Sequence, residues 1–243
     1  MEKLYKKIKR ILKISIFKTI FFNFYYLPFR QAIKFPVFLY NTKISHLGGR
    51  VYIKSEKIKP GLIQLGFCGV PIFNEAKFVW RNKGTIIFNG FTYIGNNSGI
   101  CCYPGATLSF GSNFVATNNI KIECFKSIQF GANNRFAWEC IIMDSSQHRI
   151  KNENGEYVGS DASEIQTGRN CWIASRCMLL KGAKLPNYCI VAAGTTITKD
   201  FSSYPEKSLI AIDSKVVVKK TGIWRDPEDP RDLIATELWY KKM

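Results

Sequence analysis

His148 stands in "CIIMDSSQHRI", residues 140–150, and is one of only two histidines in the chain. The stretch runs apolar through Cys140, Ile141, Ile142 and Met143, turns polar at Asp144, and reaches the histidine four residues later. An imidazole changes charge near neutrality, so it can take the proton of a poor nucleophile such as a hydroxyl while the new bond forms. A carboxylate at Asp144 could orient that ring or stabilise its cation, as in a catalytic triad. Two plainer readings stand beside these: a surface histidine, and an aspartate that caps a turn. A polar run, "KNENGEYVGSDASE" (151–164), follows before apolar residues return.

Metal chemistry has little support. The eight cysteines contain no C-x-x-C, and neither His46 nor His148 has a cysteine at ligand spacing. No metal is expected. A reduced, cytoplasmic setting with cysteine as a small buried apolar residue fits this usage.

The charge is lopsided. Lys+Arg exceed Asp+Glu by 35 − 18 = 17, and residues 1–43 hold ten of the cations with Glu2 as their one acid. Such a surplus suits nucleic acid, anionic lipid or a phosphate-bearing ligand. No nucleic-acid-binding module accompanies it, so no nucleic-acid partner is expected. The longest uncharged run in this segment, the eleven residues between Lys18 and Arg30, is well short of the roughly 20 that span a bilayer. Leu4, Ile8, Ile11 and Ser15 share one helical face with cations on neighbouring stripes. Residues 1–45 therefore read as a basic amphipathic segment. It either lies on an anionic membrane at the inner face of the plasma membrane or packs on the main domain or a partner subunit.

From Thr167 the chain falls into hexads: "TGRNCW IASRCM LLKGAK LPNYCI VAAGTT ITKDFS". First positions are Thr167, Ile173, Leu179, Leu185, Val191 and Ile197; fifth positions are Cys171, Cys177, Ala183, Cys189, Thr195 and Phe201. Six residues is not a whole number of α-helical turns, and Gly168, Gly182, Pro186 and Gly194 rule out one long strand. Short strands joined by bends, stacked coil on coil, satisfy the pattern. "IGNN", "FGSN", "FGANN", "TGRN" and "LPN" read as one corner revisited each coil, with Gly and Asn accepting positive φ. Their spacings are 16, 20, 37 and 18 residues, and 37 reads as two coils plus an insertion just after His148.

These hexads, the interruption after His148 and "NCWIASRCMLLKGAKLPNYCIVAAGTTITKD" resemble the hexapeptide-repeat acyltransferases. Within them the chain is most similar to sugar O-acetyltransferases and to acetyltransferases of bacterial surface-polysaccharide synthesis. The resemblance covers about residues 60–220 and is strongest from 130 to 200. It implies an all-β solenoid, a left-handed parallel β-helix, over 46–218, with an extruded loop at about 144–164. Residues 219–243, with "RDLIATELWYKKM", read as a C-terminal helical cap.

By the same resemblance His148 is the general base on an acceptor hydroxyl, and Asp144 its orienting partner. The acyl donor is acetyl-CoA. Ser175 and Ala193 would lie beside its pantetheine arm and Trp172 near the thioester, with Thr198 and Lys199 at its phosphates. Lys215 survives from the segment that meets the adenine end, although "AIDSKVV" departs from the usual turn there. Asn118 and Asn119, one coil below the histidine, are candidates for acceptor contacts. The family groove lies between neighbouring β-helices, which implies a homotrimer acting on a sugar or lipid-linked glycan. An N-acyltransferase on an amino sugar and a non-catalytic β-helix scaffold remain the alternatives.

Overall fold

The computed structural model describes residues 14–68, 70 and 72–212, together with the backbone of 223–225. Alternation builds it. In "FVATNNIKIEC", Phe114, Ala116, Asn118, Ile120, Ile122 and Cys124 all point inward and are at most 1% exposed. Every second side chain of a strand faces one way, so each short strand buries one edge.

Stacking these strands gives the left-handed parallel β-helix that the resemblance implies. It has three flat faces of eight, seven and six strands, and every pairing within them is parallel. The first face carries Val37–Leu39, Thr92–Gly95, Phe114–Ala116, Arg135–Phe136, Trp172–Ile173 and Ile190–Val191 among others. The second carries Gly99–Cys102, Lys121–Cys124, Ile141–Met143, Met178–Leu180 and Thr196–Ile197; the third includes Thr107–Phe110, Ser127–Phe130, Ile165–Thr167 and Lys184–Leu185.

Inside, like sits on like. Ile100, Ile122, Ile142, Leu179 and Ile197 pair in register up the second face, each 1% exposed. Phe88, Phe110 and Phe130 stack along the third face with ring centroids 5.2 and 5.4 Å apart. Every hexad first position from Thr167 to Ile197, and every fifth position from Cys171 to Thr195, is buried. Thr167 replaces an aliphatic residue because its hydroxyl accepts from the buried Asn134 amide and from the Gly131 N–H.

Three details differ from expectation. The solenoid begins at Val37 rather than 46, and His46 lies in a strand of the first coil, Thr42–Leu47. A register shift between Ile44 and His46 hides the repeat there. The 37-residue interval holds one coil plus the insertion: Phe136 pairs directly with Ile173, and Ile142 with Leu179. "IGNN" also turns a different corner, between the first and second faces, whereas "FGSN", "FGANN", "TGRN" and "LPN" turn between the third and first.

The corner chemistry divides between its two residues. Asn113, Asn133 and Asn170 adopt positive φ, at 57, 59 and 56°. Gly111, Gly131 and Gly168 do not. They are glycines because successive coils touch there: a Cβ on Gly131 would lie 2.4 Å from the Gly168 carbonyl oxygen. Removing a side chain lets backbones approach, a separate use of glycine from its freedom in φ.

At the N-terminal end a helix, Ile16–Tyr26, covers the first coil. Thr19 Oγ1 accepts from the Leu39 N–H at 3.1 Å, and Asn23 Oδ1 from the Val37 N–H at 3.1 Å. Phe22, fully buried, packs edge-on against Trp80 at 4.9 Å. Leu4, Ile8 and Ile11 lie outside the described residues, as does the helix expected over 231–243. The described part of the C-terminal segment, Ile223–Arg225, is a strand paired antiparallel with Ile150–Asn152 of the extruded loop.

Candidate active site

The loop leaves the second face after Met143 and rejoins the third at Ile165. Its neck is laced shut. The Ser163 N–H donates to the Asp144 carbonyl at 2.9 Å, and the Ser146 N–H to the Asp161 carbonyl at 2.9 Å. Ser145 Oγ donates to the same Asp161 carbonyl at 2.8 Å and accepts from the Gln147 N–H at 2.9 Å. Lys181, one coil on, binds Ser146 Oγ at 3.2 Å and the Ser160 carbonyl at 2.6 Å. His148 sits half-buried just beyond this neck, its carbonyl accepting from Ser146 Oγ at 3.0 Å. A rigid scaffold thus presents a partly exposed imidazole from an otherwise irregular segment.

Asp144 faces the other way. It is fully buried, and its carboxylate accepts from the N–H groups of Phe125, Lys126 and Ser127 at 2.7, 2.8 and 2.7 Å. That is the turn-bracing reading: the carboxylate ties the loop's exit to the corner of the coil below. Alternation accounts for the direction, since Ile142 points inward and Asp144 follows two residues later. Asn118 is corrected in the same way. It is fully buried, its amide donating to Asn96 Oδ1 within the solenoid, where no acceptor sugar reaches. Asn119 is half-buried at the corner, with φ of 58° and its N–H on the Asn96 carbonyl.

Ser175 and Ala193 share the corner between the first and second faces on adjacent coils, the Gly194 N–H donating to the Ser175 carbonyl at 2.9 Å. Ala193 is exposed, and the space around Gly194 is open. Trp172 projects from the first face, 52% exposed. Thr198 and Lys199, both exposed, lie at the opposite edge of the second face, on the same corner as the loop neck. Apart from Trp172, these residues therefore flank two edges of the second face rather than lining a single pocket. Lys215 lies outside the described residues.

Two residues were overlooked. Glu123 points outward from the second face one coil below the loop, and Gln147, beside the histidine, donates to it at 2.8 Å. Burial raises the Glu123 carboxyl above the usual carboxylate range, with the Gln147 bond and the Arg81 cation pulling the other way. The signal was in "KIEC": Lys121 and Glu123 alternate with the inward Ile122 and Cys124.

Fold and site together define a hexapeptide-repeat parallel β-helix with a histidine-bearing extruded loop. Among solved structures the chain is similar to the polySia-specific acetyltransferase NeuO, with a TM-score of 0.49, 16% identity and 84% of each chain covered. No family model matches the chain, and no curated protein matches it.

Proposed function

We propose that this chain is an acetyl-CoA-dependent O-acetyltransferase acting on a sugar hydroxyl of a bacterial surface glycan. The observation that carries the reading is the placement of His148, half-buried at the laced neck of the extruded loop. The donor's fit is supported by the uncluttered ridge at Ser175, Ala193 and Gly194, and by the exposed Lys199 for its phosphates.

Bound acetyl-CoA supplies an activated acyl thioester. His148 takes the proton of the acceptor hydroxyl as its oxygen attacks the acyl carbon, and returns it to the departing thiolate sulfur. The products are an acetyl ester and free CoA thiol. Because the donor ridge and the histidine lie on opposite edges of one face, we assign the complete groove to two neighbouring copies in a homotrimer.

Thiol release from acetyl-CoA, followed with hydroxyl-bearing sugars and with amino sugars as separate acceptors, tests the reading. Release dependent on a hydroxyl acceptor is expected. Release with amino sugars alone would favour N-acylation, and no binding of acetyl-CoA would leave a scaffold. Sedimentation showing an active monomer would overturn the trimeric groove.

A further inference from the structure

The helix Ile16–Tyr26 buries Phe22 against the solenoid yet also turns large apolar side chains to water. Its two neutral polar residues, Thr19 and Asn23, are buried against the solenoid, where they satisfy the Val37 and Leu39 N–H groups. The outward side carries Phe17, Ile20, Phe21 and Phe24, at 89, 42, 51 and 44% exposure. Spacings of three and four residues place these side chains on one stripe. Phe29, 70% exposed, extends the stripe, its ring 6.1 Å from that of Phe24. A solvated helix would carry polar residues on its outer side. A contiguous apolar surface of this kind marks a binding face.

The charge around it selects what covers it. Between residues 14 and 55 the chain has six cations (Lys18, Arg30, Lys34, Lys43, Arg50 and Lys54) and no aspartate or glutamate. A second copy meeting this face through the same face would bring like charges together. A surface that is apolar in depth and anionic at its rim matches both features, and an anionic bilayer has that profile. Aromatic rings suit the headgroup boundary in particular. Among the described residues no helix is long and apolar enough to cross a membrane, so the contact would lie in the interface plane.

We infer that this helix face docks the N-terminal end of the β-helix onto an anionic lipid surface through Phe17, Phe21 and Phe24. The inference does not depend on the acetyl-transfer reading. The test uses the full chain with vesicles of phosphatidylcholine alone and with about one third phosphatidylglycerol. Cosedimentation with the anionic vesicles only, weakening as salt is raised, is expected. Phe17→Glu combined with Phe21→Glu should lower vesicle affinity about tenfold or more, and Phe17→Ser alone should weaken it in the same direction. Both sites are exposed, so the melting temperature should hold. Absence of binding to anionic vesicles overturns the inference. So does binding that the glutamate variant retains, which would be adsorption by charge alone. A change in sedimenting mass without a change in vesicle binding would show a second copy on this face and also ends it.

Discussion

Gln147 and Glu123, 24 positions apart in sequence, meet at 2.8 Å through amide and carboxylate. The contact joins the residue before His148 to the outer face of the coil below, so the loop is held both at its neck and on its flank. The coil supplies a half-buried acid whose protonation is linked to folding.

The linkage has a defined sign. The folded-state pKa of Glu123 is raised by burial, so its contribution to stability is full below the unfolded carboxylate pKa. It is lost as pH rises through the raised folded value. Glu123→Gln cannot ionise and keeps an acceptor for Gln147. The wild type should lose stability relative to this variant as pH rises through that window, and the difference should be flat at lower pH. Thermal melts of both proteins across the range check it; a difference independent of pH would contradict it.

Asp144 separates bracing from catalysis. Its carboxylate satisfies three backbone donors, so Asp144→Ala should cost about 2–4 kcal/mol, leaving N–H groups unpaired near the core. His148→Ala, at a half-buried site, should scarcely change stability. Urea denaturation of the two variants gives the comparison, and an Asp144→Ala protein as stable as wild type would remove the brace.

Turnover should show the opposite order. His148→Ala is expected to lower turnover by about 10²–10⁴-fold, the range for a positioned proton acceptor. Acetyl-CoA affinity should hold. Near-normal turnover on a genuine acceptor would return His148 to the surface.

Lys199→Ala should leave a different signature. An exposed cation gives uniform binding, so the KM for acetyl-CoA should rise about three- to tenfold while kcat moves less. A fall in kcat at unchanged KM would place Lys199 elsewhere in the reaction.

The glycine column at the corner between the third and first faces is a stability test. Gly131→Ala puts a methyl against the next coil's backbone and should cost about 3 kcal/mol or more, since backbone and not a flexible side chain has to shift. Gly155, at the loop tip with φ of 78° and open space around it, meets no such contact. Its alanine variant should cost about 1–2 kcal/mol, from left-handed strain alone. Denaturation midpoints should therefore rank Gly131→Ala below Gly155→Ala.

The hexads after Thr167 made the fold legible because their inward positions recur at fixed spacing, and every one of them as far as Ile197 is buried. The same alternation already placed Asp144 and Asn118 inside, one following Ile142 and the other Ala116. Reading them by residue type instead of by side put them in the site. The first coil was hidden by its bulge at Ile44 and His46. The Glu123–Gln147 contact was hidden for another reason: Gln147 belongs to the irregular insertion, where no repeat position says which way a side chain turns.

That insertion leaves the winding untouched. Ile128 pairs with Ile165 across it, Phe136 with Ile173 and Ile142 with Leu179, as though residues 145–163 were missing. Length and sequence in the loop are thus uncoupled from the pitch of the screw. Under the proposed activity, the acceptor half of the enzyme is a replaceable attachment clipped to one corner, and a new glycan could be accommodated by rebuilding that attachment alone. The donor ridge at Ser175 and Ala193, set by the coils, would keep its shape.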